Sequence, residues 1–320
     1  MSLLKTWIVS DDHYADHLTG GGHPESPARY HKLDEALQRV GLKTIDNTLK
    51  PRAAKFSELK LCHNPEYIQS VHQQVDDLQF KDGSCCLSGT MDTHISPSSY
   101  DVALLAVGGV LVGIDTLMQG LAQNIFCNIR PPGHHAERDK GMGFCLFNNV
   151  AIGARYAQTM YPKEIRKVLI VDWDVHHGNG TQNIFEDDET VFYFSTHQKD
   201  HYPHTGSADE KGKGNILNVP IAGGRGSREA VLDAFRTDLP EAMLEFQPDL
   251  VMISCGFDGH AADRLGHFNL TDDDFVELTH IVKEISHTYA EDRLISVLEG
   301  GYSLESLASA AVAHVKTLAE

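Results

Sequence analysis

Lys167-Val-Leu-Ile-Val-Asp-Trp-Asp-Val-His-His177 passes from an apolar, β-branched run straight into carboxylates and imidazoles. Lys167–Val171 reads as a buried strand. Side chains alternate along a strand with period two, so Asp172, Asp174 and His176 are expected to project from one face. Two carboxylates and an imidazole on one side of a strand end form a hard, anionic pocket suited to a divalent cation. Zinc takes nitrogen and carboxylate oxygen readily, and a catalytic zinc needs three protein ligands plus a water. On these residues alone, a polar strand end whose aspartates cap the next helix is an equal alternative.

The 320 residues are enough for a substantial core, and no Pro/Gly/Ser-rich linker, low-complexity tract or repeat divides them. A single domain over residues 1–320 is expected. No basic region followed by a long apolar core opens the chain, so no signal peptide is expected. The apolar stretch Val102–Ile114, bounded by Asp101 and Asp115, is short for a bilayer span and reads as a core helix; no membrane association is expected. A net charge of −18 opposes a large phosphate-binding surface, so no direct nucleic-acid binding is expected, whereas a basic protein segment would be attracted. The six cysteines show no CxxC spacing. Reduced thiols in a cytoplasmic protein are the simple account. Homo-oligomerisation stays open.

Apolar, β-branched runs recur at Thr6–Ser10, Asn124–Ile129, Lys167–Trp173, Thr190–Ser195, Ile216–Ile221, Leu250–Ser254 and Leu294–Leu298. Helical periodicity lies between several of them. Tyr30, Leu33, Leu37 and Val40 share one face of Ser26–Val40, with Ser26-Pro27 as N-cap and first-turn proline. Thr271 and Asp274 resemble a capping box with Asp in place of Glu. The alternation predicts an α/β fold, a three-layer α/β/α arrangement around a mainly parallel sheet. In such sheets ligands bind beyond the carboxyl ends of the strands. Polar motifs fall there five times: Arg130–His135, Asp172–Gly180, Ser195–His197, Gly256–His260 and Glu299–Tyr302.

Each motif has a chemistry and a plainer role. His134 and His135 follow the turn-forming run Arg130-Pro-Pro-Gly133 and could share general-base and general-acid work, or be two ordinary loop imidazoles. Asp258 is placed to be a third ligand with Asp174 and His176, although an Asp after a strand more often caps or turns. In Glu299-Gly-Gly-Tyr302, Gly300 and Gly301 allow close backbone approach, and the Tyr302 phenol could stabilise an oxyanion or simply pack. Gly141-Met-Gly-Phe-Cys145 would present Phe144 to a channel, or to the core. His63, His72, His94, His201, His280 and His287 have no distinguishing spacing and are expected to be structural; so is His177.

Together these residues closely resemble the zinc-dependent histone deacetylase family of the arginase/deacetylase superfamily. The resemblance runs from Gly22-His-Pro-Glu-Ser-Pro27 to Glu299-Gly-Gly-Tyr302. The Asn179-Gly180 step and Gly256-Phe-Asp258 are similar to the class II branch and its bacterial amidohydrolase relatives. The resemblance implies zinc on Asp174, His176 and Asp258, a catalytic pair of His134 and His135, and Tyr302 polarising the carbonyl. It implies Asp172 behind His134, and behind His135 the neutral Asn179 where class I has an aspartate, so that His135 should titrate lower than its class I counterpart. Potassium is implied at Asp172, the carbonyls of Asp174 and His176, Ser195 and Thr196. Phe144 and Tyr202 would line the acyl-lysine tunnel, Gly143, Gly300 and Gly301 would be further substrate-binding residues, Asp92 in Gly89-Thr-Met-Asp92 would bind substrate backbone at the rim, and Arg29 would border an acetate cavity.

The reaction so implied is metal-assisted amide hydrolysis, releasing acetate and free amine. Acetylpolyamine hydrolases of the superfamily recognise a cationic chain, and one class II member does so with a rim glutamate; the matching position, seven residues after Asp258, is Leu265. An apolar gatekeeper favours an acyl-lysine on a peptide or protein. The Asp-rich surface keeps a small acetylated amine as the alternative, with esterase side activity plausible. A manganese ureohydrolase would need a second set of bridging ligands that is not seen. A silent acyl-lysine binding module would lack a ligand or the tyrosine.

Overall fold

The computed structural model describes residues 6–78 and 83–320. In chain order the strands are β1 (Thr6–Val9), β2 (Thr48–Leu49), β3 (Cys85–Cys86), β4 (His94–Ile95), β5 (Asn124–Cys127), β6 (Val168–Asp172), β7 (Val191–Gln198), β8 (Ile216–Ile221), β9 (Leu250–Cys255) and β10 (Leu294–Leu298). Eight form one sheet in the order β2-β1-β5-β10-β9-β6-β7-β8, and β3 and β4 make a separate antiparallel pair. Every pairing in the large sheet is parallel. All seven apolar runs are strands of that sheet. The two-residue β2 is too short to give a periodic signal.

Alternate residues of the central strands supply two cores, as period two requires. Val168 and Ile170 of β6, with Met252 and Ile295, face one side with Val110, Ile114 and Ile152. Leu169, Val171 and Trp173, with Val251 and Ile253, face the other with Phe275, Leu278 and Leu307. The predicted helix at Ser26–Val40 spans Pro27–Arg39, and Ser26 occupies the N-cap without a side-chain hydrogen bond. At the start of helix Asp272–Tyr289, Asp274 accepts the Thr271 N–H at 2.7 Å, the shortened capping box.

The apolar stretch Val102–Ile114 lies inside a longer helix, Ser99–Met118. At 20 residues it is long and apolar enough to cross a membrane. It is packed within the molecule instead: Val107, Val110, Leu111 and Ile114 are fully buried. The flanking Ser99–Asp101 and Asp115–Met118 are simply continuous with it. All six cysteines are free thiols.

Candidate metal centre and reaction site

The register sets Asp172, Ser254, Val297 and Cys127 side by side at the carboxyl ends of β6, β9, β10 and β5. The loops that follow these four neighbouring strands carry Arg130–His135, Asp174–His176, Asp258 and Glu299–Tyr302. Ser195–His197 does not follow its strand, as the sequence suggests, but lies within β7.

Asp172 is the last residue of β6, and strand alternation ends with it. The Asp174 N–H turns back to Asp172 Oδ1 (3.1 Å), and the His176 N–H to Asp174 Oδ1 (2.9 Å). Short aspartate side chains capture the amide two residues on and fold the chain into turns. The expected common face is therefore divided. Asp172 Oδ2 meets His134 Nδ1 (3.0 Å) and the Tyr193 hydroxyl (2.9 Å). Asp174 and His176 instead converge with Asp258. His176 Nδ1 lies 3.0 Å from Asp174 Oδ1 and 3.0 Å from Asp258 Oδ2.

These three residues are the one group of metal-ligand type among the described residues, each offering an atom within 4.8 Å of the others. Both carboxylates are aimed from behind, the orientation a metal ligand needs. Gly300 N–H donates to Asp174 Oδ2 (2.8 Å), and Val175 N–H to Asp258 Oδ1 (3.0 Å). Gly300 is glycine because a Cβ there would collide with both carboxylates. Burial, then the charge of Asp174, pushes Asp258 up to about 7. Burial opposes a charge on His176, but Asp174 and Asp258 outweigh it and raise the ring to about 10. Buried carboxylates crowded in this way are relieved by a cation, and one nitrogen with two carboxylates fits zinc.

His134 and His135 stand beside this centre with ring centroids 4.0 Å apart. Asp172 holds the first, and Asn179 Oδ1 lies 2.8 Å from Nδ1 of the second. Their environments separate them. Burial works against a charged His134, but Asp172 and Asp174 prevail and raise it to about 10. His135 is held well below the ordinary imidazole value by burial and by its neighbours His134 and His176. A titratable pair driven apart is the pattern of divided acid and base roles. Glu299 fastens their loop, its Oε2 accepting Gly133 N–H (2.7 Å) and His134 N–H (3.1 Å).

Tyr302 is carried by a turn gripped from two sides. Arg29, expected at a cavity wall, is wholly buried with its guanidinium engaged. It donates to Gly301 O (2.6 Å) and Glu299 O (2.5 Å), pairs with Glu25 (3.0 Å) and lies 5.1 Å from the Tyr302 ring centroid. Gly301 takes φ of 119°, open to glycine. On the other side Asp263 accepts the N–H groups of Tyr302 (2.6 Å), Ser303 (2.9 Å) and Leu265 (3.0 Å). Leu265 is thus tethered to the tyrosine turn. Nothing in the spacing of Asp263 singles it out.

Phe144 stands 5.9 Å from the Tyr302 ring, and Tyr202 5.2 Å from His135 and 6.2 Å from His176. Asp92 ties the two aromatic segments together, accepting from the Tyr202 hydroxyl (2.9 Å) and from Gly143 N–H (3.3 Å). Two histidines read as structural belong here instead. His201 stacks on His176 at 5.2 Å, and His94 packs on His23, which packs on Phe144. His63 is structural, bonding Glu137 O and Asn148 N–H. His177 is too, its two nitrogens meeting Thr205 and Gln182.

A buried group of metal-ligand type, a split histidine pair and a phenol at the strand ends of a three-layer α/β/α fold are the parts of a metal-dependent hydrolase. The histone deacetylase domain family matches residues 23–318. An uncharacterized protein of Synechocystis is 38% identical over 97% of this chain and 98% of its own length. Human polyamine deacetylase HDAC10 is 37% identical over 92% of this chain, which spans 44% of the human protein. The crystal structure of the HDA15 HD domain superposes with a TM-score of 0.90 at 34% identity, covering 99% of this chain and 89% of that one. The chain belongs to the histone deacetylase family, whose members depend on zinc.

Proposed function

We propose that this protein, acting as a single domain, hydrolyses the acetyl amide of acetylated lysine side chains in peptides or proteins, yielding acetate and the free amine. The reading is carried by the convergence of Asp174, His176 and Asp258 beside two histidines of opposite shift. Those three residues would hold zinc, which when bound supplies a Lewis acid that polarises the carbonyl and lowers the pKa of water. His135, kept neutral by burial and by its neighbours His134 and His176 and aligned by Asn179, takes a proton from the attacking water. His134, kept charged by Asp172, delivers a proton to the departing lysine nitrogen. The water oxygen bonds to the carbonyl carbon as charge passes to the carbonyl oxygen, and the C–N bond breaks when that charge returns and the protonated nitrogen departs. The Tyr302 hydroxyl donates to the oxyanion as its charge develops. Phe144 and Tyr202 flank the aliphatic stem of the lysine, and Asp92 accepts from substrate backbone.

Potassium as a second cation is supported by Thr196, whose Oγ1 is buried without a hydrogen-bond partner. Ser195 Oγ, by contrast, is 2.9 Å from His197 Nδ1. Asp172, the carbonyls of Asp174 and His176, Ser195 and Thr196 would surround the ion.

Metal dependence is tested by exhaustive dialysis against a strong chelator. Activity should be lost and return with about one equivalent of zinc per chain, while Asp258→Ala should neither retain nor regain it. Activity surviving verified metal removal would refute the assignment. Substrate choice is tested at Leu265. A glutamate there adds a charge partner for a secondary ammonium, worth about 1 kcal/mol at a partly exposed site. Leu265→Glu should therefore shift the acetylspermidine to acetyl-lysine-peptide preference by about fivefold to tenfold in kcat/KM. An unmoved ratio would remove Leu265 from substrate choice, and a wild type that prefers acetylspermidine would count against lysine as the substrate.

A further inference from the structure

Building on the role given above to His135, we propose that Glu137 is a positioning residue: it holds the Asn179 amide in one orientation and thereby sets which nitrogen of His135 carries the proton. Asn179 Nδ2 donates to Glu137 Oε1 at 2.6 Å; the same nitrogen also lies 3.2 Å from Met142 Sδ and 3.4 Å from His135 O. Asn179 Oδ1 is thereby left facing His135 Nδ1 at 2.8 Å. The two ends of an amide have nearly the same shape and opposite hydrogen-bonding character. An asparagine behind a histidine consequently has a choice that an aspartate does not.

Turned by 180°, Asn179 would offer its NH₂ to Nδ1. His135 would then carry its proton on Nε2, and the nitrogen that should receive the water proton would have no free lone pair. An ionised carboxylate only accepts, so Glu137 demands the NH₂ end and leaves the carbonyl for Nδ1–H. Glu137 is itself rooted at both ends of its backbone, its N–H donating to Lys140 O (2.9 Å) and its carbonyl accepting from His63 Nδ1 (2.8 Å). A wrong tautomer is costly in histidine catalysis, and the partners that orient such rings matter by about 10–100-fold.

The test compares wild type, Glu137→Gln, Asn179→Asp and the double variant, each zinc-loaded, with acetyl-lysine peptide turnover, zinc content and melting temperature measured. Glu137→Gln should lose about 10–100-fold in kcat with KM, zinc content and melting temperature unchanged, because glutamine satisfies either end of the amide. Asn179→Asp should be impaired as well, since it sets a second carboxylate against Glu137. The double variant should exceed both single variants, because the carboxylate introduced at position 179 accepts from His135 whichever way it faces, and the amide introduced at position 137 can donate to it. The effect of Glu137→Gln thus reverses sign between the two backgrounds. Equal losses in both backgrounds, or a Glu137→Gln enzyme with wild-type kcat, would overturn the proposal. Ring ¹⁵N shifts of His135 give a reading independent of turnover: Nδ1–H in wild type and a mixture in Glu137→Gln support it, and Nε2–H in wild type overturns it. Wild-type turnover in the same series tests the deacetylase reading separately.

Discussion

Tyr302→Phe should lower deacetylase turnover by about 10²–10³ and leave zinc content unchanged. The substitution removes one hydroxyl and nothing that shapes the turn. Gly300 N–H still orients Asp174, Arg29 still grips the carbonyls of Glu299 and Gly301, and Asp263 still accepts from the backbone of residue 302. The phenol itself is held protonated. Burial raises it well above its ordinary value, and the carboxylates of Asp258 and Asp174 push the same way. It would therefore enter the proposed reaction as a donor across the working pH range. A donor aimed at the oxyanion stabilises the transition state more than the bound substrate, so the loss should fall on kcat with KM little changed. Turnover within a few-fold of wild type would remove Tyr302 from the chemistry. Loss of zinc along with turnover would instead make it a scaffold for Asp174.

How far this centre can be read from the chain depends on how local each cause is. Seven strands are legible because each is an apolar run bounded by polar turns, and the helix beginning at Asp272 because its cap lies within four residues of sequence. The convergence of Asp174, His176 and Asp258 is legible because sheet topology brings strand ends together whatever the loop details. The route by which they meet is not. Strand alternation predicts Asp172, Asp174 and His176 on one face, whereas side-chain-to-backbone turns at Asp172 and Asp174 send the first to His134 and the others to Asp258. Asp263, His201 and Glu137 escape the sequence for a different reason. Each acts on a partner 39 to 42 residues away or stacks across a loop, with no periodicity connecting the two. His201 precedes Tyr202 directly, and that adjacency is the one local hint available. Arg29 shows the limit of a resemblance taken alone: the cavity it was expected to border is less telling than the carbonyls it holds.

Glu25→Ala should destabilise the protein by about 3–5 kcal/mol, the range for stripping one partner from a buried ion pair. Glu25 is fully buried between two fully buried arginines. Its Oε1 accepts from Arg130 Nε (2.5 Å) and Arg29 Nη1 (3.0 Å), and Oε2 accepts from Arg130 Nη2 (2.7 Å). His17 Nε2, 3.7 Å from Glu25, cannot take its place, because an imidazole is neutral or positive and never a counter-charge to a guanidinium. Removing the carboxylate leaves two guanidiniums in the interior with backbone carbonyls as their remaining partners. A midpoint lowered by on the order of 10 °C is the expected thermal result. The pH dependence has a definite sign. Burial would raise Glu25, but Arg130 and then Arg29 outweigh it and lower its pKa from 4.5 to about 2. A depressed carboxylate contributes stability that is complete above its unfolded value and is lost as pH falls through its folded one. That contribution should decline between about pH 4.5 and 2 in the wild type and be missing from the profile of Glu25→Gln. The consequence reaches the reaction site, because Arg29 spans from Glu25 to the turn that carries Tyr302. Glu25→Gln, which keeps the shape and loses the charge, should lower turnover by loosening that turn even at temperatures where it is fully folded. A Glu25→Ala protein that melts within about 1 °C of wild type would show that the two arginines find other counter-charges and that this buried triad does not hold the fold together.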